Sequence, residues 1–526
     1  MLRVTLFVSF LLTLSRTAQA FTLPFRRQTA HSTSFDFTNV NTGDYRDIYV
    51  GTIYLNNVPY TVQLDTGSSD LWIDTTHTDL SGLTNTGIKG GITYGDGDVA
   101  QGPIYLAPVQ FGDFTVAKQA FISAPGSNAT TAGDGGLLGL GAPGMSNVAK
   151  YLKNYNSAYD GSSLLDNIFK IYPEEPNVMT FLLTRDSVMG ITSGGAFTLG
   201  DIDHDYSAIS NTPVRKVVAP IPNFPTWTIP MNAMTINGQK YTGTSIYNTT
   251  FLPSGETLAW LDTGTSLTLV PTAFADAIYK NLPGAQYLPN DGYYWVPCDT
   301  KLNLTFVFGN EVFPIDPLDV TFVGEVDQYG NTYCFGSFVG GDPNKIGADF
   351  LLGDAFLRNV YSLFDFGSWA TTGGTDPFIQ ILSITDPNKA WASFDSSNAA
   401  RLAAYSAMVT NPSSTSAAKD GRVRLNTNLA NSTVPSASPS PPPLSSSSGS
   451  NNAQLLTNSY VIMGLLAGVL VMLVVLCVLI LRGKKNVGYK AVPNVPRAVS
   501  EDSDAFLPPG RKEYTYNDPY EESGRR

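Results

Sequence analysis

The sequence predicts an all-β body of two lobes, followed by a stalk and a single transmembrane helix. Three observations lead to this prediction: short strand-like runs joined by tight turns, the tripeptide Asp-Thr-Gly at both 65–67 and 262–264, and an uncharged apolar stretch at 460–481. The strand-rich region covers roughly 350 residues, which is too long for one hydrophobic core, so we expect two lobes.

Composition divides the chain of 526 residues into consecutive segments. We predict a signal peptide at 1–20, a short leader or propeptide at 21–44, an N-terminal β lobe at 45–225, a C-terminal β lobe at 226–395, a Ser/Thr/Pro-rich stalk at 396–459, a transmembrane helix at 460–481 and a cytoplasmic tail at 482–526.

The two ends of the chain have the patterns of secretion and membrane anchoring. Arg3, an apolar run and the small residues before Phe21 form the pattern of a secretory signal peptide. The stretch at 460–481 is long enough to cross about 30 Å of hydrocarbon as a helix. Arg482 and Lys484 follow it and place the C-terminal side in the cytoplasm. These patterns predict a type I membrane protein of the secretory pathway, with its body extracellular or lumenal, and we expect the plasma membrane rather than the vacuole.

The charge and cysteine content narrow the function classes. Charged residues make up 14% of the chain and the formal net charge is −12, which argues against a nucleic-acid partner. Of the three cysteines, Cys477 falls in the predicted membrane span. An oxidising compartment then favours a Cys298–Cys334 disulfide, with two unpaired thiols as the alternative.

Within the body, turn residues separate β-rich runs. Tight hairpin turns are predicted at Asn56-Asn57, Gly112-Asp113, Asn237-Gly238 and Gly309-Asn310. Helical patterning is sparse, and the three best candidates are short: residues 146–156, 164–172 and 271–282.

The two Asp-Thr-Gly copies each follow an apolar strand end, "TVQL" before Asp65 and "LAWL" before Asp262. Gly67 and Gly264 allow a tight turn after each aspartate. A carboxylate at the end of a buried strand needs hydrogen bonds, which neighbouring hydroxyls and turn amides can supply. Two such carboxylates brought together share one proton, so that one serves as acid and the other as base for a water molecule. We therefore predict a paired site across the two lobes.

The chain resembles the pepsin-like aspartic proteases over about residues 45–395. The resemblance rests on "DTGSSDLW", "YGDG" at 94–97, "DGGLLGLG" at 134–141, "GGAFTLGDID" at 194–203, "LDTGTS" and "FLLGDAFLRNVYSLFDFG" at 350–367, in this order. The Cys298–Cys334 spacing also fits a disulfide usual in the family's second lobe. The Ser/Thr-rich stalk and the few cysteines are typical of fungal proteins.

The resemblance implies an endopeptidase that hydrolyses peptide bonds at acid pH and prefers extended peptides with bulky apolar residues at the scissile bond. Asp65 and Asp262 would be the catalytic dyad, supported by Thr66, Gly67, Ser68, Thr263, Gly264 and Thr265. Tyr94 and Gly95 would form the tip of a substrate flap, with Trp72 beneath Tyr94. We expect a monomer that needs no metal or cofactor and whose partners are peptide or protein substrates.

Other interpretations of the sequence are rejected or less favoured. The segment 201–212 resembles a calcium loop but has Tyr206 and Thr212 where Gly and Glu are required. Rival functions are a protease-shaped binding protein without catalysis and a stalked adhesin. N-glycosylation sequons occur at Asn128, Asn248, Asn303 and Asn431.

Overall fold

The computed structural model describes residues 33–41, 47–95, 97–130, 134–185, 192–247, 252–289, 292–326, 331–370 and 374–410, which belong to one compact unit of the chain. The predicted signal peptide, transmembrane helix and cytoplasmic tail lie outside these residues, as does the stalk after residue 410. Among the described residues, no helix combines the length and apolar character that a membrane crossing requires.

Strands dominate the described residues, as predicted. Those before residue 200 are β1 (Thr33–Asn41), β2 (Asp47–Leu55), β3 (Val58–Asp65), β4 (Leu71–Ile73), β5 (Thr84–Thr93), β6 (Val99–Phe111), β7 (Phe114–Ser123), β8 (Gly136–Gly139), β9 (Val178–Leu183) and β10 (Thr192–Leu199).

The later strands are shorter. They are β11 (Arg215–Lys216), β12 (Thr228–Met231), β13 (Ala233–Ile236), β14 (Gln239–Tyr241), β15 (Thr257–Leu261), β16 (Thr268–Pro271), β17 (Gln286–Leu288), β18 (Tyr293–Val296), β19 (Leu304–Phe308), β20 (Glu311–Ile315), β21 (Thr321–Val326), β22 (Thr332–Gly336), β23 (Phe338–Gly341), β24 (Phe350–Leu352), β25 (Val360–Asp365) and β26 (Phe378–Ser383).

Helices are few and mostly short. They are α1 (Asn147–Asn154), α2 (Leu164–Ile171), α3 (Thr272–Tyr279), α4 (Pro343–Ile346), α5 (Asp354–Leu357) and α6 (Pro387–Thr410), and short 3₁₀ turns lie at Pro143–Met145, His204–Asn211, Pro317–Val320 and Gly367–Trp369. The three predicted helices are confirmed as α1, α2 and α3. Ser146 and Ser163 cap the first two, because their side chains accept hydrogen bonds from the amides of Ala149 and Asp166.

The strands form one large sheet and three small ones. The large sheet has the order β11-β26-β25-β9-β10-β1-β2-β3-β8-β4-β7-β6-β5, and the small sheets are β12-β15-β24-β16-β23, β14-β13-β19-β20 and β17-β18-β22-β21. Because β25 pairs with β9 and β26 pairs with β25, two strands near the end of the body join the sheet formed by its first part. The predicted leader also contributes, since β1 lies between β10 and β2.

The predicted hairpin turns are confirmed between β2 and β3, β6 and β7, β13 and β14, and β19 and β20. Asn56 and Asn57 both have positive φ, at 49° and 64°. Asn is one of the few residues that tolerate this left-handed conformation, which matches the twist of a two-residue hairpin.

Helix α6 extends the folded body beyond the predicted end at residue 395. Phe394 is 1% exposed, and the Arg401 guanidinium donates to the carbonyl oxygens of Leu318 at 2.9 Å and Thr321 at 2.8 Å. The predicted start of the stalk at 396 therefore falls inside a docked helix. The composition did not predict this helix, because most of its residues are small or polar and only a few buried side chains anchor it to the body.

One apolar cluster runs through the parts of the body that carry the two motifs. Leu64 and Leu138 from the first part and Leu261 and Leu352 from the second are completely buried in it. Full burial of such a side chain contributes roughly 2 kcal/mol. The strand ends before both aspartates are therefore rigidly held.

Candidate active site

Each aspartate follows a buried strand that pairs in parallel with a second apolar strand. Asp65 ends β3, which pairs with β8, and Asp262 comes directly after β15, which pairs with β24. The "LLG" segments expected beneath the two motifs are these partner strands, Gly136–Gly139 and Phe350–Leu352, the latter followed by Gly353. Both aspartates are buried, with 4% and 7% of their surface exposed.

The structure brings the two Asp-Thr-Gly loops into contact, so that each glycine lies against the carboxylate of the other loop. A Cβ atom placed on Gly67 would lie 2.5 Å from Oδ1 of Asp262, and one placed on Gly264 would collide with Oδ1 of Asp65. Only glycine fits at either position. The predicted paired carboxylate site is thus present in the geometry.

The threonines of the two loops bond to each other reciprocally. The Thr66 amide donates to Oγ1 of Thr263 at 3.0 Å, and the Thr263 amide donates to Oγ1 of Thr66 at 3.0 Å. The two hydroxyls then donate to strand carbonyls of the opposite loop, Thr66 to Leu261 at 3.1 Å and Thr263 to Leu64 at 2.8 Å. These four buried bonds fix the separation of the two carboxylates.

Each carboxylate also accepts two bonds from its own loop. Oδ1 of Asp65 accepts from the Gly67 amide at 2.7 Å, and Oδ2 accepts from the Ser68 hydroxyl. Oδ1 of Asp262 accepts from the Gly264 amide at 2.9 Å, and Oδ2 accepts from the Thr265 hydroxyl at 2.8 Å. The hydroxyls of Ser68 and Thr265 therefore occupy equivalent positions.

The pKa values of both carboxyl groups are raised. Burial raises the pKa of Asp65 well above its usual range, and the neighbouring charge of Asp262 raises it further against the bonds from Ser68 and Gly67. Burial also raises the pKa of Asp262, while bonds from Thr265, Gly264 and Asp65 lower it. The pair titrates as a unit, and these opposing effects favour placing a shared proton on Asp65 in the free protein.

The predicted flap residues lie beside the first aspartate. Trp72 is completely buried in β4, and its indole Nε1 donates to the Tyr94 hydroxyl at 2.6 Å. Tyr94 and Gly95 follow β5 at the tip of the β5–β6 hairpin. Burial and the charge of Asp65 raise the pKa of the Tyr94 phenol well above its usual range, so this hydroxyl stays protonated.

Three contributors to the site were not predicted from the sequence. The Gln63 side chain donates to the Gly264 carbonyl at 3.2 Å, and the Trp227 indole donates to the Leu140 carbonyl at 3.2 Å. Asp70 accepts from the amides of Asn147 at 2.7 Å and Val148 at 3.2 Å, at the start of α1. A buried Asp five residues after Asp65 was a usable signal, but its partner lies too far along the chain to be inferred.

The remaining predicted sites are distributed over the surface and the second part of the body. Cys298 and Cys334 form a disulfide with their Cα atoms 5.1 Å apart. Asn128 and Asn303 are exposed, whereas Asn248 and Asn431 lie outside the described residues. Over the described ranges, no group of three or more His, Cys, Asp or Glu side chains is placed to hold a metal ion.

Two mutually braced, buried aspartates on a mostly β scaffold match the paired carboxyl groups of aspartic-type hydrolases. A sequence model of the eukaryotic aspartyl protease family matches residues 45–371, more than half of the chain, and the chain therefore belongs to that family. It is a pepsin-like aspartic endopeptidase.

Similar proteins agree with this assignment. An aspartic protease from Phaffia rhodozyma is 28% identical over 61% of this chain and 74% of its own length. A cathepsin D from Chionodraco hamatus is 28% identical over 64% of this chain and 84% of its own. A vacuolar protease A from Aspergillus fumigatus is 29% identical over 61% of this chain and 77% of its own.

Proposed function

We propose that Asp65 and Asp262 are the catalytic dyad, and that they hydrolyse peptide bonds through a water molecule held between their carboxyl groups. The observation that supports this most directly is the mutual placement of the two buried carboxyls, fixed by the reciprocal bonds of Thr66 and Thr263. Such rigid placement is what general acid–base catalysis requires.

The two aspartates take different roles in the proposed mechanism. Ionised Asp262 accepts a proton from the water while the water oxygen bonds to the carbonyl carbon, and protonated Asp65 donates its proton to the carbonyl oxygen. Asp262 then passes its proton to the peptide nitrogen, Asp65 recovers a proton from the diol, and the C–N bond breaks. The raised pKa of Asp65 supports its assignment as the acid.

The supporting residues shape this reaction. Ser68 and Thr265 hold the outer oxygens of the two carboxylates, and Gly67 and Gly264 leave room for the opposite carboxyl group. Tyr94, held by Trp72, closes over a peptide in the cleft between two lobes. We propose that the cleft favours extended peptides with bulky apolar residues at the scissile bond.

The setting of the enzyme is part of the proposal. A signal peptide at 1–20 and an anchor at 460–481 would hold a monomeric, glycosylated body outside or in the lumen of a secretory membrane. The name of one relative, vacuolar protease A, adds a vacuolar compartment to the plasma membrane that the sequence favours.

Replacing either aspartate tests the proposed dyad. We expect Asp65→Asn and Asp262→Asn in the full chain each to lower kcat on a denatured protein at acid pH by about a thousandfold or more, because each removes one proton-transfer group. Cleavage of a peptide library would report the preferred flanking residues in the same assay.

Asp79→Asn is the matched control, since Asp79 is an exposed carboxylate on a loop. It should retain full activity. Unchanged acid proteolysis by Asp65→Asn would overturn the dyad. Absence of acid proteolysis in the unsubstituted chain would instead leave a binding protein or an adhesin as the better account.

A further inference from the structure

The flap hairpin returns to the body through Asp98 and Val99. At its tip, the Tyr94 amide donates to the Asp98 carbonyl at 2.9 Å, and the Gly97 amide donates to the Tyr94 carbonyl at 3.0 Å. Asp98 and Val99 are thus the first residues after the turn that carries Tyr94. The contacts made by Asp98 and Val99 therefore help to determine the orientation of the flap.

A neighbouring loop, residues 124–130, holds these two residues through side chains. Asn128 accepts a hydrogen bond from the Val99 amide at Oδ1 (3.0 Å) and donates from Nδ2 to the Asp98 carboxylate at 2.9 Å. The Ser127 hydroxyl donates to the Val99 carbonyl at 2.9 Å. Both polar backbone atoms of Val99 are therefore bound by this loop.

The same loop is attached at its other end to β4, the strand that carries Trp72. The Ala124 amide donates to the Ile73 carbonyl at 2.9 Å, and the Gly126 amide donates to Oδ1 of Asp74 at 3.0 Å. The flap is consequently joined to β4 twice, at its tip through Trp72 and at its base through the loop.

We propose that Asn128 is a positioning residue that latches the base of the flap over the cleft; this rests on the proposed function of Tyr94 and the dyad. Asn128 is exposed, so water competes for its bonds, and each bond adds only modestly to the closed state. A latch of this strength holds the flap closed over a bound peptide and still allows it to open for exchange.

The latch shares an atom with a predicted modification. Asn128, Ala129 and Thr130 form a glycosylation sequon, and a glycan would be attached to the same Nδ2 that bonds Asp98. The nitrogen carries two hydrogens, so one remains for the bond after attachment. A glycan here would place sugar at the base of the flap.

Two variants that both remove the sequon test the latch in the full chain. Asn128→Ala removes the amide, whereas Thr130→Ala keeps it while perturbing the same loop, because the Thr130 hydroxyl bonds the Ser127 carbonyl at 3.1 Å. For a long peptide substrate we expect KM to be about fivefold higher in Asn128→Ala than in Thr130→Ala, since the closed flap is less populated. Their kcat values per titrated site should agree within about twofold.

Titration of active sites with a tight transition-state mimic separates positioning from folding. Equal KM values in the two variants would overturn the latch. The latch would also be overturned if Asn128→Ala lowered only the number of active sites that bind the mimic. If Asn128→Ala does not fold, Ser127→Ala replaces it, with an expected rise in KM of about twofold. Asp65→Asn in the same series distinguishes the proposals, because its retained activity would refute the dyad and leave the KM comparison intact.

Discussion

The two Asp-Thr-Gly loops have the same internal bonding and different surroundings. In both, the amide two residues after the aspartate and the hydroxyl three residues after it donate to the carboxylate. In both, the aspartate lies at the end of a strand that pairs in parallel with an apolar strand, as the last residue of β3 in one loop and directly after β15 in the other. The repeated tripeptide is therefore a repeated structure as well as a repeated sequence.

The surroundings differ on the side of Asp65. Tyr94 and Trp72 lie beside this loop, and the charge of Asp65 contributes to the raised pKa of Tyr94. Asp70 follows in this loop and binds the start of α1, whereas Leu267 stands at the equivalent position after Asp262. Nearly equal loops thus hold two carboxyl groups whose pKa values are both raised, and their unequal surroundings support our proposal that the shared proton lies on Asp65.

Among the changes that test this comparison, we expect the largest loss of stability from breaking the reciprocal threonine bonds. Thr66→Val removes the side-chain partner of the Thr263 amide and of the Leu261 carbonyl in a buried site. Thr263→Val likewise removes the side-chain partner of the Thr66 amide and of the Leu64 carbonyl. We expect each to lower the free energy of unfolding by about 3 kcal/mol, measured by urea denaturation. Thr66→Ser retains the hydroxyl and should lose much less.

Symmetry adds a second expectation to that experiment. The two valine variants should be about equally destabilised, and the double variant should lose less than the sum, because the four bonds form one unit. If one valine variant lost much more stability than the other, the two loops would not contribute equally to holding the site together.

A smaller effect is expected at the flap, which distinguishes the Asp65 side. Tyr94→Phe removes the acceptor of the Trp72 indole, and Trp72→Phe removes the donor. We expect each to lower kcat/KM by about tenfold through a less ordered flap. Since both changes break the same bond, the double variant should be little worse than either single variant. Additive losses of kcat/KM in the double variant would contradict the view that the Trp72–Tyr94 hydrogen bond orders the flap tip.

The local parts of the site could be predicted from the sequence, because neighbouring residues determine them. Strand ends, Gly67, Gly264 and the hairpin turns follow from apolar runs and turn residues. The contacts of Gln63 and Trp227 could not be predicted, because each depends on a partner that is distant in sequence. Helix α6 was missed for a similar reason, because Phe394 is buried and Arg401 meets its carbonyl acceptors only in the folded body.

The central claim is that the shared proton lies on Asp65. Substitutions of Ser68 and Thr265 test this claim separately for the two carboxyl groups. The Ser68 hydroxyl favours ionised Asp65, so Ser68→Ala should raise the pKa of Asp65. The Thr265 hydroxyl favours ionised Asp262, so Thr265→Ala should raise the pKa of Asp262. An acid must be protonated and a base ionised, so the two changes should act on opposite limbs of the pH profile.

The most direct test is therefore the pH dependence of kcat/KM for these two variants beside the unsubstituted chain. If Asp65 is the acid, Ser68→Ala moves the alkaline limb to higher pH and leaves the acid limb in place. Thr265→Ala moves the acid limb to higher pH and leaves the alkaline limb in place. The reverse pattern, with Ser68→Ala shifting the acid limb, would contradict the assignment of the proton to Asp65.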